Sequence, residues 1–451
     1  MRLALVLLTL PLFAQQTPAP DFAFFRNQVE PILLAKRPGH APCVVCHEHG
    51  SPPLQPLTTG ATTWTEAQSR RNFDIWKLFV KPGNPTASPL LLHPLAIAAG
   101  GDHFHAGGKH WQSQQDTEWQ ILARWVMGEK FAPTLKSRVL QTNAAGDNTH
   151  VIDPATNKVV GIIEGIEVPH GVALAPDGRT IYITDEPRAS LDIVDAATLK
   201  LTKRVPLSGR PNNLAVSKDG KTVYVGIVEA PGAVDIIDAA SATNIKSVKL
   251  QGGIHNIYIT PDGKFAVAGS IPGKIINVID TASNTLAWTL PADAGIRPMA
   301  FTTNSDGSTK NIIVQYSDFH GIVVVDFAAR KEVRRVPLPN PLGMEKETQG
   351  IQGAPSHGLA ITPDGKTLWA TSKWYGYVAA FSLPDLKLLK VVQVGSHPEW
   401  LTIPPDGKNL YVACAGDNTT VVVDNKTMQI VMKIPVGAVP KRNTSGMLFT
   451  Q

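Results

Sequence analysis

Two cysteines and a histidine at fixed spacing, Cys43-Val44-Val45-Cys46-His47, carry the most specific chemistry in this chain. Thiols three positions apart can add across the two vinyl groups of a porphyrin. A histidine directly after them then falls beneath the iron as its proximal ligand. The C-x-x-C-H spacing therefore predicts one covalent haem c on Cys43 and Cys46, with His47 on the haem iron. A zinc ribbon would need a second cysteine pair, and the third cysteine, Cys414, stands far away in an alternating apolar strand. There it reads as a small core residue outside any disulfide. A thioredoxin-like redox pair would sit in a βαβ pattern, which the flanking sequence lacks.

The elements that must position this motif read as helices. Asp21 to Leu34 places Phe25, Val29 and Ile32/Leu33 on one face, with Asp21 as N-cap. Thr63 to Phe79 is a second amphipathic segment carrying Trp64, Phe73, Trp76 and Phe79. A short helix is expected near Pro85 to His93, and a closing helix from Asp116 to Met127 aligns Trp119, Leu122 and Trp125/Val126. A small all-α unit over 20–130 follows. Helix, C-x-x-C-H, helices and an aromatic closing helix resemble the class I cytochrome c fold. Phe25 to Leu33, Ser88-Pro89-Leu90-Leu91, His105-Ala106-Gly107-Gly108-Lys109 and Glu118 to Val126 resemble a family of bacterial cytochrome modules found in larger secreted proteins.

That resemblance implies a sixth iron ligand in a glycine-rich loop before the last helix. Seven of the 13 histidines fall in this region: His40, His47, His49, His93, His103, His105 and His110. His105 leads the His-x-Gly-Gly loop and is the first choice, with His103 and His110 next. Met127 ends the closing helix, away from the loop, and ranks low; a five-coordinate iron is the remaining alternative. His/His ligation would give a lower potential than His/Met and leave no open position, favouring electron transfer over chemistry at the haem.

The chain begins Met1-Arg2, continues with an apolar run from Leu3 to Phe13, and reaches Ala14 before two glutamines. This is the pattern of a secretory signal peptide, 1–14, too short to span a bilayer comfortably. Export and covalent haem agree, since haem c is attached outside the bacterial cytoplasmic membrane. The expected location is periplasmic or secreted, with no integral membrane segment after cleavage. A net charge of +5, four without Arg2, and no basic run argue against nucleic acid.

Beyond the linker 129–134 the period changes. Asp-Gly turns end at Gly178, Gly220, Gly263, Gly307, Gly365 and Gly407, spaced by 42, 43, 44, 58 and 42 residues. Each joins alternating strands, and four strands per ~43 residues describe a propeller blade. Six blades carry the turn. Strands at 138–163 and Val439 to Thr450 complete a seventh blade across both ends of the region, so 137–451 is expected to be an all-β seven-bladed propeller. Its Tyr-Val/Ile and Val-Ile-Asp patterns resemble the YVTN or lactonase-like family, a fold that hosts enzymes and binding modules alike. Cytochrome followed by propeller also resembles the domain order of cytochrome-type nitrite reductases, whose ring has eight blades, a departure that puts nitrite reduction in doubt.

Seven residues before each turn aspartate stand His170, Asn212, His255, Met299, His357 and Glu399. Two residues further upstream stand Arg210, Arg297 and His397, with Lys441/Arg442 as the C-terminal counterpart. These registers should converge on one mouth of the ring. The bland reading is repeat residues bonded to the next blade. The functional one is a site at His170, His255, His357 and His397 for an additional transition metal, a cofactor or an anionic ligand. An extra loop, Pro339 to Thr348, should lie over the same face. The expected function is electron transfer by an exported c-type haem protein, with the propeller as partner-docking or ligand-binding platform. The alternative is a periplasmic oxidoreductase using the mouth as its site and the haem as relay. Partners would be a redox protein or a small electron donor or acceptor.

Overall fold

The computed structural model describes residues 18–58, 61, 63–131, 134–341, 343–346 and 354–450. The export signal expected at 1–14 lies outside the described residues, as do Leu342, Glu347 and Thr348 of the long loop. Two compact units are present, Met1–Pro133 and Thr134–Gln451. Among the described residues no helix is long and apolar enough to cross a membrane.

The first unit holds only small helices around an aromatic core. Asp21 caps the opening helix, its carboxylate accepting from Phe24 N at 2.8 Å. Helix Phe22–Phe24 runs through a π-turn at Phe25–Val29 into Glu30–Leu34. The widening has a cause: Pro31 has no N–H to donate, and just before it Glu30 N reaches back five residues to Phe25 O. Helix Glu66–Trp76 begins with a reciprocal capping box between Thr65 and Gln68, and Thr117–Val126 closes the unit. Phe25, Trp64, Trp76, Trp119, Leu122 and Trp125 pack into one core. Three of these indoles have partners, Trp64 Nε1 donating to Gln55 O at 2.6 Å, Trp125 Nε1 to Asp21 O at 3.0 Å and Trp76 Nε1 to Pro53 O at 3.1 Å, while Trp119 Nε1 is buried without one. Burying an aromatic body while satisfying its N–H is what makes tryptophan stabilising here.

The second unit is seven four-stranded antiparallel sheets. Six are sequential: 169–206, 211–249, 254–291, 296–337, 359–393 and 398–435, called blades 1 to 6 in that order. Blade 7 is built from both ends of the region, strand Pro440–Thr450 pairing with Thr134–Asn143, followed by Asn148–Asp153 and Lys158–Glu164. The ring is therefore closed by backbone hydrogen bonds rather than by side-chain packing alone. The first strands of successive blades pack against one another around the full circle, which makes them the lining of the central channel. The fourth strands are mostly exposed. All six turn glycines have positive φ, from 67° at Gly407 to 82° at Gly307, the conformation that Asp-Gly supplies without a Cβ clash. Cys414 is fully buried in strand Asn409–Cys414, and burial pushes its thiol up to about 12.

Candidate functional site

In the helical unit, Cys43–His47 form one helical turn. Arg37 ties the loop before it to the closing helix, Nε donating to Glu118 Oε2 at 2.6 Å and Nη2 to Ile32 O at 2.8 Å. After the motif the chain folds back tightly: Leu54 N donates to His47 O at 2.7 Å, and a Cβ on Gly50 would lie 2.7 Å from Cys46 O. Cys43, Cys46, His47, His105 and His110 line one largely apolar cavity of about 410 Å³ with Trp76 and Leu122 among its walls. Burial pushes the Cys43 thiol up, partly offset by the Arg37 guanidinium.

The rings of His47 and His105 face each other with centroids 6.3 Å apart and planes 22° apart. His47 Nδ1 lies 2.8 Å from Pro52 O and His105 Nδ1 2.7 Å from Gly108 O. A carbonyl only accepts, so both Nδ1 atoms carry the proton and both Nε2 lone pairs remain available. The His105 arrangement comes from its turn. Gly108 N closes on His105 O at 2.9 Å, and Gly108 takes a φ of +81°. Burial holds His47 below the usual histidine range, and His110 falls to about 4 for the same leading reason. Of the other candidates, His110 sits in the same cavity beside the rings of His40 and His105, while His103 is exposed. Met127 is exposed at the end of the closing helix.

At the propeller mouth a second cavity, about 420 Å³, is lined by His170, Asn212, His255, Arg297, His357, Lys373, Glu399, Glu186 and Lys441, with small neighbours. Five of the six residues in the first register thus converge. Met299 does not; it packs between blades in the apolar core. His397 does not line the cavity either, and its Nδ1 lies 2.8 Å from Ser396 Oγ. Arg210 is half-exposed, 3.7 Å from Glu186.

Glu399 organises the mouth. Its Oε1 accepts from Lys373 Nζ at 2.7 Å and from Lys441 Nζ at 3.4 Å. Its Oε2 lies 2.9 Å from His357 Nδ1, a close contact without hydrogen-bond alignment. Burial would raise the Glu399 carboxyl, but Lys441, His357 and Lys373 together hold it well below its ordinary range. Burial drives His170, His255 and His357 the other way into their neutral form, His357 to about 3, the neighbouring cations adding to the effect for the first two. Beneath lies Arg442, fully buried, stacked 4.2 Å over the Trp400 ring and donating Nη1 to Asn256 Oδ1 at 2.9 Å and Nη2 to Asn212 Oδ1.

This geometry does not suit a metal cation. Lys373 and Lys441 already occupy the one buried carboxylate. Among the described residues no three His, Cys, Asp or Glu side chains converge closely enough to hold an ion. The transition metal expected of His170, His255, His357 and His397 therefore lacks a donor set among the described residues.

Lys373 and Glu186 are site residues that the registers did not reveal. Both stand eight positions after their turn glycine, just past the second strand of blades 5 and 1. The same step lands on Val228, Ile271, Gln315 and Ala415 in the other blades. Charge at an otherwise uncharged register was the available signal.

A family model of YNCE-like β-propellers matches residues 128–402. The chain belongs to the YNCE-like β-propeller family. No curated protein matches by sequence. Among solved structures, hydrazine synthase of Kuenenia stuttgartiensis is similar over 64% of this chain and 92% of its own, at 22% identity and TM-score 0.56. The periplasmic gluconolactonase PpgL of Pseudomonas aeruginosa is similar over 69% and 99%, at 18% identity and TM-score 0.56. Dihydro-heme d1 dehydrogenase NirN, solved in complex with DHE, is similar over 79% and 80%, at 15% identity and TM-score 0.51. At these identities the likeness establishes the shared fold alone. This YNCE-like propeller carries its mouth residues on the first strands and on the loops after the second strands.

Proposed function

We propose that this protein is an exported c-type haem protein of electron transfer, periplasmic or secreted, with a cytochrome-like unit at 20–130 and a ligand-binding propeller. The observation that carries the reading is the His47–His105 pair. An imidazole nitrogen binds its metal at about 2.0 Å, so two rings on opposite sides of one ion stand about 6 Å apart at their centroids once ring radii are added. The observed 6.3 Å fits. So do the Nδ1 atoms, each donated to a carbonyl in the manner of metal-bound histidines. Cys43 and Cys46 line the same apolar cavity and would hold haem c covalently, and His47 and His105 would supply nitrogen ligands to its iron.

When bound, the haem supplies one-electron exchange. The protein residues do the rest. Pro52 and Gly108 orient the two imidazoles and Trp76 and Leu122 wall the cavity, and with both histidines on the iron no position would be left for a substrate. The alternative, an oxidoreductase acting at the mouth, draws on the buried imidazoles of His170 and His357 that line that cavity, held in their neutral form by burial. Redox titration of the full-length protein, matured with a cytochrome c assembly system, tests the main reading. Reversible one-electron cycling of a low-spin haem supports it; a protein that purifies without haem defeats it.

A further inference from the structure

Past the mouth residues, the same first strands line a second cavity of about 420 Å³. Arg442 borders neither cavity; it lies beneath the mouth, stacked on Trp400, and so stands between the two. Three rings line the second cavity, Tyr258 of blade 3, Phe301 of blade 4 and Trp400 of blade 6, and each is only partly buried. Tyr258 and Phe301 meet edge to face with centroids 6.1 Å apart. At the register of Tyr258, four residues before the turn aspartate, blades 1 and 2 carry only Ala173 and Ala215, which line the same space. Small side chains at that level leave room for a flat body beside the rings.

The cavity also holds an unmet acceptor. Asn443, 4% exposed, turns its Nδ2 to Gln141 Oε1 and Tyr411 O, both at 3.2 Å and both outside the lining. Both partners accept, so the amide orientation is fixed and Oδ1 is left buried without a partner. Tyr258 Oη is likewise buried, beside the Met299 backbone but without hydrogen-bond alignment. The only charged residue of the lining is Lys218, and it is exposed. Aromatic walls with a buried acceptor and no buried charge suit a neutral aromatic ligand that carries a hydrogen-bond donor. A bound water would meet Asn443 Oδ1 but would leave the three rings against solvent. We propose that this end of the channel binds a neutral phenol, its ring against Tyr258, Phe301 and Trp400 and its hydroxyl donating to Asn443 Oδ1. This rests on the reading of the propeller as the ligand-binding half, at a site apart from the histidine mouth, and needs no haem.

Calorimetric titration of the full-length holoprotein with β-naphthol, its methyl ether and the saturated alcohol decalol tests it. The naphthol should bind. The ether lacks the donor and decalol lacks the flat ring, so each should bind at least about fivefold more weakly. Ala215→Leu fills the space from the blade 2 wall and should abolish naphthol binding with an unchanged unfolding temperature. Phe301→Leu keeps an apolar side chain without a flat ring and should weaken the naphthol about fivefold. No heat with the naphthol, equal affinity for the ether or for decalol, or indifference to both variants would each overturn the proposal. The visible spectrum of the same sample separates the two readings: a normal haem without naphthol binding overturns this inference alone, and naphthol binding without haem overturns only electron transfer.

Discussion

His47 and His105 face one another across 6.3 Å, each ring tied at Nδ1 to a backbone carbonyl and open at Nε2. Removing one ring should therefore change the iron and not the fold. His105→Ala is expected to convert a low-spin visible spectrum to a high-spin one, while His103→Ala, at an exposed position, leaves it unchanged. A His105→Ala spectrum identical to that of the unaltered protein would exclude His105 as the sixth ligand.

The turn that aims His105 depends on Gly108. Its φ of +81° disfavours any side chain, and a Cβ there would lie 3.3 Å from His40 Cε1. Gly108→Ala should cost about 1 kcal/mol. It should also loosen the axial ring, seen as a high-spin fraction that grows on warming before the unit unfolds.

Glu30 gives the helical unit an unusual pH response. It is buried against Ser69, whose Oγ donates to Oε2 at 3.0 Å, and burial raises its carboxyl to about 7. The folded unit thus holds a proton that the unfolded chain releases above about 4.5. Its stabilising effect is complete below about 4.5 and is lost as pH rises through about 7. His110, held at about 4 by burial, acts in the opposite sense below 6.5, so the comparison is with Glu30→Gln: denaturant titrations should show the variant gaining stability over the unaltered protein at pH 8 and not at pH 5.

The propeller should respond in the opposite sense. Neutral His170, His255 and His357 favour the folded state above about 6.5, and this contribution falls as acid protonates the unfolded chain, by up to about 1.4 kcal/mol per pH unit for each. Glu399, held ionised, adds a further loss below about 4.5. Glu399→Gln leaves Lys373 buried without its counter-charge and should cost about 3–5 kcal/mol. Thermal melts of the propeller region from pH 8 to pH 4 check both; a melt unaffected by pH, or by the substitution, contradicts the account of the mouth.

Much of the fold was legible because it repeats. Six Asp-Gly turns and strands of period two locate the blades, and the unpaired fragments at the two ends of the region reveal the closing sheet. That Cys43, Cys46, His47 and His105 line one cavity was legible because Cys-x-x-Cys-His keeps its side chains within one helical turn and His105 leads a loop with two glycines that permit a tight turn. What the pattern did not reveal depends on direction in space. Met299 shares a register with His170 but turns into the core, and His397 is drawn aside by Ser396. Lys373 and Glu186 reach the mouth from loops after second strands, where only comparison between blades makes their charge stand out. The buried ion cluster around Glu399 could not be read at all without knowing which loops meet.

The most direct measurement is the intact mass of the full-length protein after denaturation, produced in a host that assembles cytochromes c, beside a Cys43→Ala, Cys46→Ala double variant. The account predicts one haem retained covalently on the unaltered chain and none on the variant. An unaltered chain that denatures to its polypeptide mass alone would contradict it.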